Sequence, residues 1–241
     1  MVGRSSLRPR RAVPQWAKTV AVEAPASSAN LGPGFDALAL ALDLWLRVRV
    51  TPLDAGAESL VVEGEGADEI GLDGGNRFLI GLEHGLEEFA LEPPIMKIEM
   101  LNEIPLARGL GSSAAASVAG LRAAEALVGE EIPQARLMEL ATKIEGHPDN
   151  AAAALLGGFV VVGSSSARFD PPGSLCVALF IPELPLRTET MRATLPEHVT
   201  HRDAAHNVSR TAMIAAALAS GLRLDLLDAM GDDRLHEPYR A

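Results

Sequence analysis

Residues 105–115 read PLARGLGSSAA, and Ser117 closes a short Gly/Ser/Ala-rich run that opens a helical pattern. Gly109-Leu110-Gly111-Ser112-Ser113-Ala114 fits the dinucleotide fingerprint G-x-G-x-x-G/A. That fingerprint requires a strand running straight into the glycines, a parallel strand after the helix, and an acidic residue about 20 residues on. Here the preceding strand pattern ends near Leu101 and NEIPLAR intervenes. Glu130 and Glu131 lie at a suitable distance but lead into Pro133 and another helical pattern. The dinucleotide reading fails on context. A Walker A loop fails more simply, because no lysine follows Gly111. What survives is the physics common to both motifs. Glycines admit close backbone approach, and a helix start offers unpaired N–H groups with partial positive charge. On the loop alone, a phosphate site and a ligand-free helix start stand level.

Working outward, Lys18–Ala24 alternates as a strand that PASSANLGPGF, with two prolines and two glycines, is expected to end. Asp43–Thr51 places Leu44, Leu46, Val48 and Val50 on one face. Ser59–Glu63 and Ile95–Leu101 are further strands. Asn76–Leu91 has helical spacing with Asn76 as N-cap. The helix from Ser112 is expected to stop at Gly129, another begins after Pro133, and a short one spans Asp149–Leu156. GGFVVVG and LCVALFIP read as buried strands, the second carrying the single cysteine, Cys176, as a small buried hydrophobe. His206–Ser220 reads as an amphipathic helix. Strands and helices mix without strict alternation, which predicts an α+β fold.

Composition narrows the function classes. The 241-residue chain carries a formal net charge of −11, with 22% charged and 4% aromatic residues. Such a surface repels phosphodiester backbones, which argues against nucleic-acid binding. No apolar run approaches the roughly 18 residues of a membrane span. The single cysteine precludes an internal disulfide and fits a reducing cytoplasm. Arg4, Arg8, Arg10 and Arg11 cluster in residues 1–17, whose composition predicts a basic disordered tail. No His/Cys cluster has transition-metal spacing.

Four segments decide between the readings. Pro105-Leu106-Ala107-Arg108-Gly109-Leu110-Gly111-Ser112-Ser113-Ala114-Ala115 resembles the phosphate loop of the GHMP small-molecule kinases, P-x-x-x-G-L-G-S-S-A-A, at every specified position. APASSANLGPGFDALALALDL (24–44), EGHPDNAAAALLGGF (145–159) and DRLHEPYRA (233–241) resemble segments of the homoserine kinases within that family, in the same order. The resemblance implies two α+β lobes: an ATP-binding lobe over 18–165 and a ferredoxin-like lobe over 166–241. It implies a cytoplasmic enzyme, often dimeric, that phosphorylates the hydroxyl of L-homoserine with ATP and Mg²⁺. The family continues past EPYR into a Gly-rich loop, whereas this sequence stops at Ala241, so the second lobe is expected to be incomplete.

By the same resemblance, residues 105–115 hold the phosphates, and Ser113 and Glu145 hold the metal, with Glu139 as runner-up. One or two carboxylates suffice for Mg²⁺, which keeps several waters. Asn30, Asp36, Asp149 and Asn150 face the ammonium and hydroxyl of the substrate; Arg192 and Arg240 face its carboxylate, with Arg187 easily confused with Arg192. Asp36 and Asp149 are the candidate catalytic residues, as a base or, preferably, as groups that orient the hydroxyl in a loose transition state. His147 is read as pinning the turn before Pro148. Two rival readings are a kinase for another small alcohol such as mevalonate, and an inactive nucleotide-binding remnant.

Overall fold

The computed structural model describes residues 16, 19–181, 191–221 and 228–240. Of the expected basic tail, only Trp16 falls within them, half-buried against the core; Arg187 lies outside them.

The architecture is α+β. Strands β1 (Val20–Ala29), β2 (Leu38–Pro52), β3 (Ser59–Gly64), β4 (Met96–Asn102), β5 (Phe159–Val162) and β6 (Ser166–Phe169) form one sheet. β2 is its spine. β1 pairs antiparallel along its length, while β4 and β5 share its other edge, β4 at residues 46–52 and β5 at 38–40. β3 lies parallel to β4, and β6 pairs with β5 across the turn 163–165.

Helices α1 (Arg77–Glu87), α2 (Ser112–Val128), α3 (Gln134–Glu145) and α4 (Asp149–Leu156) cover one face. Phe78, Leu82 and Leu86 of α1, Leu121 of α2, Met96 and Ile98 of β4 and Phe159 of β5 are fully or almost fully buried in one cluster. The opposite face carries Glu23, Arg47, Lys97 and Glu99, which form exposed ion pairs. This division of faces is how an antiparallel sheet satisfies both core and solvent. α1 and α2 meet backbone to backbone. A Cβ on Gly81 would stand 2.2 Å from the Ser117 carbonyl, and one on Gly120 would stand 2.1 Å from the Phe78 carbonyl. Then come α5 (His201–Ala219), a 3₁₀ turn at Asp228–Gly231 and the short α6 (Glu237–Arg240). No helix among the described residues is long and apolar enough to cross a membrane.

Several sequence expectations are corrected. β1 does not end before Pro25. It continues to Ala29 through a register shift at Pro25/Ala26, opposite which Asp43 and Leu44 of β2 are the unpaired extra residues, and on an edge strand the proline's missing N–H is tolerated. β2 begins five residues earlier than predicted, at Leu38, because its first half is buried on both faces and does not alternate. α5 begins at His201, capped by the Thr200 hydroxyl, which accepts from the Asp203 N–H. Residues 175–181 form no strand. Cys176 and Phe180 are exposed, because no described strand lies beside this apolar run.

Candidate active site

The chain leaves β4 through a tight turn made by Asn102, whose side chain accepts from the Ile104 N–H and donates to the Glu65 carbonyl. The loop then runs from Pro105 to Gly111. Gly109 and Gly111 have φ of +73° and +68°, backbone that only glycine adopts without strain. The Ser27 N–H donates to the Leu110 carbonyl at 3.0 Å, and the Leu110 side chain is buried, so the loop is tied to β1. Gly111 caps α2 without a side chain. The N–H groups of Ser112, Ser113 and Ala114 therefore have no partner among the described residues, as a phosphate cradle requires. The Ala115 N–H already donates to the Gly111 carbonyl, and its side chain is buried. Ala115 thus belongs to the helix frame and Leu106 lines a neighbouring pocket, while the other expected loop residues line a cleft of about 590 Å³.

Glu145, His147, Asn150, Arg192 and Arg77 complete that cleft. Glu145, the last residue of α3, accepts from Ser113 Oγ at 3.1 Å and from Ser117 Oγ at 2.6 Å, both on Oε1. A hydroxyl and a carboxylate side by side are the oxygen donors that suit Mg²⁺. Glu139 instead pairs with Arg136 on the surface and does not line the cleft.

Asp149 opens α4 and is fully buried. Its Oδ1 accepts from the Asn150 N–H at 2.8 Å and lies 2.8 Å from His147 Nδ1. Burial pushes the Asp149 carboxyl up, but these contacts and the charges of His147 and Arg192 outweigh it and hold it below the ordinary range. The hydrogen bond to Asp149, against burial, raises the His147 imidazole. His147 thus does more than shape a turn: it orients Asp149. Asp149 Oδ2 is buried without a partner among the described residues. An orphan carboxylate oxygen is costly unless something meets it. Asn150 accepts from Ser27 Oγ at 2.8 Å, locking α4 to β1.

Asn30 and Asp36 bracket a loop between β1 and β2, and both have left-handed backbone (φ +58° and +54°). Asn30 Oδ1 accepts the Asp36 N–H at 2.9 Å, so this amide folds the loop. Asp36 and Arg192, expected to serve opposite ends of a ligand, meet each other: the guanidinium grips both carboxylate oxygens, Nη1 reaching Oδ2 at 3.0 Å. The pair's charge and the hydrogen bond to Asp36 raise Arg192 further above its ordinary value. Arg192 also lies over the Phe35 ring, 5.1 Å from its centroid, and Phe35 stacks on His236 at 5.0 Å. Arg240 ends α6.

The residue patterns left other features unseen. The loop 30–36 is clamped by the last third of the chain. His236 Nε2 lies 2.8 Å from the Gly32 carbonyl, Thr211 donates to the Pro33 carbonyl, and Asn207 and Asp233 bond to each other. Beside the cleft, a pocket of about 340 Å³ has walls of Leu46, Ile70, Phe78, Met100 and Leu106, and it shares Arg77, Ala107, Ser112 and Ser113 with the cleft. Its apolar residues come from five separated segments, so no local spacing announces it.

A helix start with unpaired N–H groups beside an apolar pocket suits a nucleotide's phosphates and base, and the family model "GHMP kinases N terminal domain" matches residues 77–158, which places the chain in the GHMP kinase class. The homoserine kinase of Corynebacterium efficiens is 43% identical over 93% of this chain and 75% of its own length. That of Streptomyces coelicolor is 43% identical over 93% of this chain and 74% of its own. The crystal structure of homoserine kinase from Cytophaga hutchinsonii superposes with a TM-score of 0.77 at 26% identity, covering 100% of this chain and 76% of that one. The chain belongs to the homoserine kinases.

Proposed function

We propose that the protein transfers the γ-phosphoryl group of ATP to the hydroxyl of L-homoserine, giving O-phosphohomoserine, within threonine biosynthesis in the cytoplasm. The observation that carries this reading is the buried, unpartnered Oδ2 of Asp149, held between His147 and Asn150, which line a cleft that also takes in a helix N-terminus and Arg192, the partner of Asp36.

The N–H groups of Ser112, Ser113 and Ala114 suit the phosphates, with Pro105, Arg108, Gly109, Leu110, Gly111 and Ala115 shaping or flanking their loop. The neighbouring apolar pocket suits the base. Ser113 and Glu145 would hold Mg²⁺, which supplies charge neutralisation for the transferring group. Asp36 takes the substrate ammonium, and Arg192 and Arg240 take its carboxylate; a bidentate fork fits that group. Asn30, Asp149 and Asn150 face the hydroxyl. Asp149 is kept ionised by His147, and its free oxygen accepts a hydrogen bond from the attacking hydroxyl, fixing its direction. Orientation of this kind supplies much of the acceleration where bond-making is slight. In this reading the ATP-binding lobe extends past residue 165 to take in β6, which pairs with β5 in the same sheet, and the chain after Phe169 belongs to the second, ferredoxin-like lobe.

The test is a coupled assay of ADP release with L-homoserine and with mevalonate. Turnover on homoserine, lost by at least about 10²-fold in Asp149→Asn, is expected. A folded protein that binds ATP analogues but turns over neither alcohol overturns the reading, and preference for mevalonate redirects it.

A further inference from the structure

We propose that Ser117 is a positioning residue for magnesium, acting through Glu145; this rests on the reading of Glu145 as a metal ligand. Ser117 sits one turn beyond Ser113 on the same face of α2 and is fully buried. Its hydroxyl donates to Glu145 Oε1 at 2.6 Å, closer than the 3.1 Å of Ser113.

The backbone at Ser117 cannot drift, since Gly81 of α1 is packed directly against its carbonyl. The hydroxyl is therefore a fixed post against which the end of α3 is set. Glu145 Oε1 accepts two hydrogen bonds from α2, while Oε2 has no partner among the described residues. A carboxylate anchored by one oxygen leaves the other to meet a cation. Ser113 can donate its proton to Oε1 and still turn an oxygen lone pair outward. Without Ser117, the half-buried Glu145 depends on Ser113 alone, the group that must itself face the metal. Partners that orient a ligand in this way commonly change metal affinity by 10- to 100-fold.

The experiment is calorimetric titration of ADP into the whole chain, in EDTA and across a Mg²⁺ series, for wild type, Ser117→Ala, Ser117→Thr and Glu145→Ala. Wild type should bind ADP more tightly with Mg²⁺, and Glu145→Ala should lose that gain. Ser117→Ala should need about tenfold more Mg²⁺ for the same gain, with ADP binding in EDTA unchanged, and Ser117→Thr should return the requirement towards wild type. A Ser117→Ala protein with the wild-type Mg²⁺ series overturns the proposal. So does one weakened equally in EDTA and in Mg²⁺, which marks a packing defect. If Glu145→Ala keeps the full gain, the reading of Glu145 falls and the proposal with it.

Discussion

Gly109 and Gly111 are two residues apart, share the same backbone sign and differ in their surroundings, so alanine at each separates strain from collision. A Cβ on Gly109 has no atom within 4 Å, whereas one on Gly111 would stand 2.1 Å from Ser27 Oγ and 3.1 Å from Asn150 Oδ1. Alanine at positive φ costs about 1–2 kcal/mol, partly offset by about 0.4–1 kcal/mol from a stiffer unfolded chain. Gly109→Ala should therefore lose about 1 kcal/mol. Gly111→Ala adds overpacking of about 1–3 kcal/mol and the Ser27–Asn150 hydrogen bond of about 1 kcal/mol. Its total comes to about 4 kcal/mol, some 3 kcal/mol beyond its neighbour. Urea unfolding of the ligand-free proteins at neutral pH reads both numbers without interference from nucleotide affinity. A gap below about 1 kcal/mol, with equal m values, would refute the claim that Ser27 and Asn150 are built around the missing side chain.

Asp36→Ala should raise KM for homoserine by about 10²-fold, the effect of losing one partner of a close charge pair. Because Asp36 and Arg192 are each about one-third exposed, unfolding midpoints should hardly move; a fallen midpoint with unchanged KM makes the pair structural. His147 is raised and Asp149 lowered. The histidine's contribution is complete below about pH 6.5 and is lost as pH rises through its folded value, and the aspartate's is complete above about pH 3.9 and is lost as pH falls through its own. The stability difference between wild type and His147→Gln should thus be greatest between about pH 4 and 6.5 and shrink towards pH 8.5; parallel urea midpoints across pH 6.5–8.5 contradict it. Asp233 is held at about 2: burial pushes it up, but the N–H groups of Glu237, Leu235 and His236 and the Asn207 amide prevail. Its contribution is complete above about pH 3.9 and is lost as pH falls from there through the folded value of about 2. Asp233→Asn should be less stable at neutral pH yet lose less between pH 4 and 2, as followed by circular dichroism, and an unchanged acid profile speaks against it.

The helices around the phosphate loop were legible because their boundaries are local chemistry: Gly111 and Gly129 bracket α2, and Pro133 and Gly146 bracket α3. A proline normally ends a paired strand, so β1 reads as stopping at Ala24, and only the fold reveals that β1 is an edge strand whose register shifts beside Pro25. The run at 175–181 reads as a buried strand from hydropathy alone, but burial depends on neighbours that hydropathy does not record. In the site, the loop and Glu145 stood out through their resemblance to known segments. Ser117 did not, because a serine in an Ala-rich helix looks like any small helical residue until a carboxylate is found against it. The Asp36–Arg192 contact spans 156 residues and has no local signature.

That contact also bears on why an amino acid suits this cleft better than a simple hydroxy acid. Asp36 and Arg192 neutralise each other, and Arg192 lines the cleft. A ligand that carries only a carboxylate, as mevalonate does, can take Arg192 only by leaving Asp36 unpaired. That exchange trades one ion pair for another and strands a negative charge on a half-buried group. In the proposed function a zwitterion breaks the same pair but forms two, its ammonium meeting Asp36 and its carboxylate meeting Arg192. Net charge in the cleft stays constant, so little is lost to stranded charge, and the gain is confined to ligands that present both ends at the right separation. Specificity then arises from a repulsive element, the carboxylate that any deaminated analogue leaves bare, as much as from attraction to the arginine. The clamp of Asn207, Thr211 and His236 on loop 30–36 keeps Asp36 in place for both exchanges. In the proposed function the last third of the chain thus fixes the group that would tell one small alcohol from another, while the phosphate loop, blind to that difference, would hold the nucleotide.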